Sequence, residues 1–167
     1  MAEAKETRKI ISINNQARGD YHLIEQVEAG IMLTGTEVKS IRQTAPGLKE
    51  CYVEVRPIKG TGKKGFEAFL LNLHLAPYSH GNIWNHDIRR PRKLLLHRRQ
   101  IDRLHGALAK DGLSIIPTAM YFSKGRVKVE IALGRGKKKG DKRQDAKSRD
   151  SKREMDRAKK MSGHKNR

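Results

Sequence analysis

At Gly134 the composition of the chain changes abruptly, and this limits what the rest can fold into. The last stretch, Gly134 to Arg167, holds fifteen Lys and Arg against five Asp and Glu, a net of +10 out of +19 for all 167 residues. It has no aromatic residue, and Ala146, Met155, Ala158 and Met161 are its only large or small aliphatic side chains. So little apolar surface does not offset the entropy lost on ordering, and the isolated tail is expected to be disordered. Yet no Pro or Gly interrupts residues 141–162. Acid-before-base pairs stand four apart at Asp145–Arg149 and Asp156–Lys160, the favourable helical order, and Met155, Ala158 and Met161 form a thin stripe. Two readings fit: a solvated solubility tail, or a helix that forms when a polyanion neutralises the cations, since an isolated helix of this length is marginal.

The division is therefore a body over residues 1–133 and a basic tail over 134–167. The body has the length of one ordinary domain. A net charge of +19 points to a polyanion, nucleic acid before anionic membrane. No apolar run approaches a spanning length and the N-terminus lacks a signal-type apolar core, so a cytoplasmic protein with no membrane contact is expected. Cys51 is single, which excludes a disulfide framework or a cysteine zinc site within the chain, and it reads as a small buried hydrophobe.

Along the body, residues 1–12 read as frayed and residues 14–20 as a polar turn. Residues 21–28 alternate as a strand, Ala29-Gly30 breaks it, and residues 31–34 resume it. Residues 35–43 read as a short helix with Thr36 available as its cap. Strands are expected at 48–55 and 66–73, joined by a basic, glycine-rich hairpin over 57–65 that lacks phosphate-loop spacing. A long irregular loop, 77–91, carries the sole Trp. Residues 92–97 lead into a helix over 98–110 with Ile101, Leu104 and Leu108 on one face, stopped by Asp111-Gly112. Residues 113–122 form a strand that Pro117 confines to an edge or a bulge. After a turn at Lys124-Gly125, residues 126–133 alternate cleanly. About six strands and two short helices predict a mainly β fold, a small antiparallel β-barrel of the oligonucleotide-binding type with flanking helices.

No catalytic constellation is marked. His80, His86 and Asp87 lie in the long loop without the short, defined spacing of a metal site, and no cofactor or metal is expected. The stronger signal is basic. Arg89, Arg90, Arg92 and Lys93 form one run, continued by Arg98, Arg99 and Arg103 on the helix, and Arg offers bidentate phosphate geometry. With aromatic content at 5%, recognition of a folded RNA by shape and backbone is favoured over stacking along a single strand.

Four segments then carry a resemblance: Glu28–Arg42 (EAGIMLTGTEVKSIR), Arg90–Asp102 (RPRKLLLHRRQID), Arg126–Lys138 (RVKVEIALGRGKK) and Asp141–Arg143 (DKR). Their sequence and order closely resemble the SsrA-binding protein family, also called small protein B, from about Asn14 to the end. The resemblance implies a barrel of the oligonucleotide-binding kind and a non-enzymatic, RNA-binding factor of bacterial trans-translation. Such a factor binds the tRNA-like domain of transfer-messenger RNA, stands in for the anticodon arm, and reaches the A site of a stalled ribosome. There it meets 16S rRNA at the decoding centre and senses the empty mRNA channel with its tail. Alanyl-tRNA synthetase and elongation factor Tu act on the same RNA, and a monomer is expected.

By position, Asn14, Glu28, Leu95 and Lys128 match family residues associated with the tRNA-like domain. Arg92 and Lys93 join them from the basic run. Lys137, Lys138, Asp141, Lys142 and Arg143 match the tail motif, and Met155 joins them from the apolar stripe. Glu28 is expected to accept from a base edge, a 2′-hydroxyl or a neighbouring Arg. Two departures stand out: Gly140 occupies a position commonly aromatic or His in the family, and the hairpin at 59–65 is longer than usual. The competing readings are a ribosomal protein or assembly factor, and an RNA-cleaving enzyme.

Overall fold

The cleanest alternation in the sequence becomes the spine of the molecule. In the computed structural model, residues 8–58, 65–81 and 85–144 are described, with Ser151, Glu154, Met155 and Arg157 of the tail. The elements in chain order are β1 (Lys9–Ile13), α1 (Asn15–Asp20), β2 (Tyr21–Ile31), α2 (Gly35–Gln43), β3 (Tyr52–Pro57), β4 (Phe66–Leu71), β5 (Arg92–Leu95), α3 (Arg98–Asp111), β6 (Ser114–Ser123) and β7 (Arg126–Gly136). Strand β7 sends Val127, Val129, Ile131 and Leu133 inward, all buried. It pairs antiparallel with β2 on one side and β6 on the other.

The ladder runs β6-β3-β4-β5-β2-β7 and closes through β6–β7, with β1 laid along β6. Every pairing is antiparallel, so the expected small barrel is what forms. Closure removes the unpaired edges an open sheet would expose. Its interior is one apolar cluster that includes Ala68, Leu70, Leu94, Ile115, Met120 and Val129. Helix α3 adds Ile101 and Leu104 as buried residues and leaves its arginines outside. Gly112, at φ +57, ends α3 in the left-handed conformation that glycine adopts at little cost. The turn expected at Lys124-Gly125 is present, both residues with positive φ.

Several expectations are corrected. Residues 9–13 are not frayed: they form β1, which pairs with β6 from Phe122 to Ala119. Residues 15–20 are not a turn but a helix, capped by the Asn14 side chain, which accepts from the Ala17 N–H at 3.1 Å. Strand β2 is not broken at Ala29-Gly30, because Gly30 pairs with Leu95 on one side and Lys128 on the other. The cap of α2 is Thr34 rather than Thr36. Its hydroxyl accepts from the Glu37 N–H while the Glu37 carboxylate accepts from the Thr34 N–H, a reciprocal capping box. Residues 48–51 lie outside β3, which begins at Tyr52. Residues 92–95 are a strand of their own.

Pro117 takes the bulge rather than the edge: the β6–β7 register shifts between Pro117 and Ala119, where proline has no N–H to give the ladder. Strand β7 continues to Gly136, so pairing runs three residues past Leu133, across the composition change at Gly134. Residues 139–144 then begin a helix. The expectations for residues 1–7, the long hairpin tip, Trp84 and the tail pairs Asp145–Arg149 and Asp156–Lys160 lie outside the described residues.

Candidate RNA interface

Strand alternation sorts the basic run at Arg90–Lys93 into two roles. Adjacent strand residues point to opposite faces. Arg92 therefore enters the protein and is fully buried, while Lys93 stays on the surface. Arg92 Nε donates to Glu37 Oε1 at 2.9 Å, and its terminal nitrogens donate to the carbonyls of Leu73 (2.6 Å), Arg90 (3.1 Å) and Ile88 (3.2 Å). Arg90 clamps the same carboxylate in bidentate fashion, at 2.9 and 2.6 Å. Burial alone would push the Glu37 carboxyl up. The hydrogen bonds from Arg90 and the Thr34 N–H, with the charges of Arg92 and Arg90, outweigh it and hold the group below its ordinary range. Arg92 is thus committed to joining α2, the 72–91 connection and β5. The reading of Arg92 as a phosphate contact is corrected on this ground.

Asn14 is also internal. Its Nδ2 donates to Leu48 O (3.1 Å) and Pro117 O (3.0 Å), and its backbone N–H donates to Thr118 O (2.8 Å). It ties the start of α1 to the β6 bulge and presents no free group to a ligand.

The other four residues converge. Glu28, Lys93, Leu95 and Lys128 all line one open groove of about 660 Å³ on the outer wall of the barrel, beside the start of α3. Glu28 and Lys128 come from the β2–β7 ladder, and Lys93 and Leu95 from β5. Gly30 sits between them. A Cβ there would lie 3.2 Å from Leu95 Cβ, so a glycine lets the Leu95 side chain lie over β2 while remaining 53% exposed. Lys93 pairs with Glu67. Glu28 accepts from the Lys128 ammonium and the Tyr121 hydroxyl, and Arg8 stands 3.6 Å from it. These bonds, Lys128's first, hold the Glu28 carboxyl below its ordinary range. Tyr121 is pushed far up by burial and by the same bond, so it remains a donor. The acidic residue therefore anchors the lysine, the tyrosine and an arginine, as the expectation of a neighbouring Arg allowed. Neither Tyr121 nor Arg8 was picked out from the sequence, because only the register Tyr121↔Lys128 places the ring beside Glu28.

The tail residues form a second assembly at the opposite end of the β2–β7 ladder. The Lys137 N–H donates to Asp20 O and its ammonium to Arg18 O, both at 2.8 Å. Lys142 pairs with Asp20 at 2.8 Å. Asp141, in the first turn of the helix that begins at residue 139, accepts from the Lys138 N–H at 3.1 Å, a reach-back bond of the capping-box kind, and lies 3.6 Å from His22 Nε2. Lys138 and Arg143 are exposed. Met155 is helical and 59% exposed. The sequence did not connect Arg18 and Asp20 with the tail, since they lie about 120 residues away.

Cys51 and His86 both have partners. The Cys51 thiol is buried, donates to Gly47 O and Asn72 O, and is pushed up to about 11 by burial. His86 lies between Thr36 Oγ1 and Leu75 O. Among the described residues no three His, Cys, Asp or Glu side chains gather as a metal site would need, and no helix is long and apolar enough to cross a membrane.

A closed antiparallel barrel with a groove flanked by lysines on its outer wall, and a cationic tail at one end, defines a class: small RNA-binding β-barrel proteins. The chain belongs to the SmpB family, whose family model, described as SmpB protein, matches residues 11–161. It is 50% identical over 150 residues to an SsrA-binding protein of Pelobacter propionicus, covering 90% of this chain and 93% of that one. It is 49% identical over 154 residues to an SsrA-binding protein of Trichodesmium erythraeum, with 92% and 94% covered. Among solved structures it resembles a chain described under "tmRNA-SmpB: a journey to the center of the bacterial ribosome", with a TM-score of 0.59, 40% identity, and 77% of this chain and 85% of that chain covered.

Proposed function

We propose that this chain is an RNA-binding factor of bacterial trans-translation. The barrel groove holds the tRNA-like domain of transfer-messenger RNA, and the protein takes the place of an anticodon arm as the complex occupies the A site of a stalled ribosome. The tail contacts 16S rRNA near the decoding centre and senses the vacant mRNA channel, so that the nascent peptide is tagged and the ribosome released. The protein acts in the cytoplasm as a monomer and binds rather than catalyses. Aminoacylation belongs to alanyl-tRNA synthetase, and elongation factor Tu acts on the same RNA. Family membership does not favour a resident ribosomal protein or assembly factor.

The observation that carries the reading is the convergence of Glu28, Lys93, Leu95 and Lys128 on one groove from three strands. Lysine supplies a point charge for phosphate. Leu95, apolar and exposed in a charged surface, offers contact to a ribose or base face. Asn14 and Arg92 act from inside by holding β6 and β5 in place. The test is a titration of the full-length chain carrying Leu95→Asn against a transcribed tRNA-like domain. Leu95 is surface-exposed, so the thermal melt should stay unchanged while RNA affinity falls. Unchanged affinity would remove the groove from the account.

A further inference from the structure

The groove does not end at Lys128. A second depression of about 450 Å³ shares Gly30, Leu95 and Lys128 with it and is walled by Leu33, Val38 and Val127. A third, of about 560 Å³, shares Gly125 with the second and runs between Ile41 and Arg42 of α2 and Lys9 and Ile10 of β1. Three depressions that share residues in succession form one trench around the barrel wall, following α2 from Val38 to Arg42.

The cations along this trench differ in kind. Lys93 and Lys128, in the first part, are each paired with a glutamate. Arg126, Arg42 and Lys9, farther along, are exposed, and among the described residues no carboxylate pairs with any of them. Arg42 lies over the Phe122 ring at 5.7 Å, which orients its guanidinium without neutralising it. A solvated surface scatters such charges. Here the start of β7 places Arg126 on the second depression, beside its apolar floor, and the last turn of α2 and the start of β1 place Arg42 and Lys9 on the third.

We infer that the bound RNA continues past Lys128 along this trench, with Arg126, Arg42 and Lys9 on its phosphates and the floor between Leu33, Val38, Leu95 and Val127 against a ribose or an unstacked base. This rests on the RNA reading of the first groove. Each phosphate that an exposed, unpaired cation neutralises gives up counterions condensed on the RNA, so the added contacts must appear in the salt dependence of binding. The apolar floor favours a sugar or base face over a fully hydrated duplex.

The test uses the full-length protein and the transcribed tRNA-like domain, with affinity measured across a series of salt concentrations. The double variant Arg42→Gln and Arg126→Gln is expected to bind more weakly and to lessen the log–log salt slope by about 0.7–0.9 per residue. The charge-keeping pair Arg42→Lys and Arg126→Lys should restore most of the slope. Lys49→Gln, an exposed cation on a different depression, should leave it unchanged. Should the double variant melt early, Arg126→Gln alone, at the exposed turn, carries the test. An unchanged slope in the double variant, while Lys128→Gln weakens binding, overturns the extended path and leaves the first groove standing. Unchanged binding in both overturns the RNA reading of the groove, and the path with it.

Discussion

Glu37 is the buried carboxylate on which Arg90, Arg92 and the start of α2 meet. It lies wholly buried with two arginines and a backbone N–H on its two oxygens, and no buried side-chain nitrogen or oxygen among the described residues lacks a partner. Removing one member of such a set strands the others. Glu37→Ala is therefore expected to destabilise the fold by about 3–5 kcal/mol, read by denaturant unfolding. The folded carboxyl titrates below its ordinary 4.5, so its contribution is complete above that pH and is lost as pH falls through the depressed folded value. A Tm profile should fall more steeply on acidification in the native chain than in Glu37→Gln. Asn14 gives a second expectation at this scale. Asn14→Ala removes a helix cap worth about 1 kcal/mol and leaves two carbonyls short of a donor. Its loss of RNA affinity should track its loss of stability and vanish at low temperature, where the variant is folded. A direct RNA contact would lose affinity at every temperature.

Elements show what was legible in the sequence and what was not. Long periodic stretches were plain: β7 and α3 with its glycine stop follow from alternation and helical spacing, while the missing proline N–H at Pro117 left an edge or a bulge, which the β6–β7 register decides as a bulge. Short elements were not. Strand β5 has only four residues and leads straight into α3, so its alternation is too brief to separate inward Arg92 from outward Lys93. This is why Arg92 was grouped with phosphate contacts. Helix α1 is six residues long and holds Gly19, and its cap is completed by carbonyls over 30 and over 100 residues away. Local propensity carries none of that. Convergence of Glu28, Leu95 and Lys128 was available only through resemblance, because cross-strand register is a tertiary property. The tail root gives an expectation at this scale. Asp20→Asn breaks the pair with Lys142, so amide exchange at Lys142, whose N–H donates to Lys138 O at 3.1 Å, should speed up while exchange in β2 stays unchanged. Equal protection in the variant would mean that the helix at 139–144 needs no anchor. Gly140 lies in that turn with open space around its Cβ position, and Gly140→Ala should slow the same exchange, since glycine weakens a helix by about 0.5–1 kcal/mol.

For the whole molecule, the proposed function divides into two tasks. In the proposed function the outer wall of the barrel captures RNA, and the tail, rooted on Arg18 and Asp20 at the far end of the β2–β7 ladder, engages the ribosome. A chain ending at Gly136 keeps every barrel pairing, so it should retain affinity for the tRNA-like domain yet fail to support peptide tagging on stalled ribosomes. Loss of both together would join the two tasks into one. The most direct measurement comes before any truncation. The intact chain is titrated against the transcribed tRNA-like domain and against a plain RNA duplex of equal length, at rising salt. Bare electrostatics weakens both in parallel, by a log–log slope of about 0.7–0.9 per phosphate contact. The tRNA-like domain is expected to keep a large advantage at high salt, because in the proposed function the groove and its apolar Leu95 recognise shape as well as charge. Coincident curves at every salt concentration would contradict it and leave the barrel a general binder of polyanions.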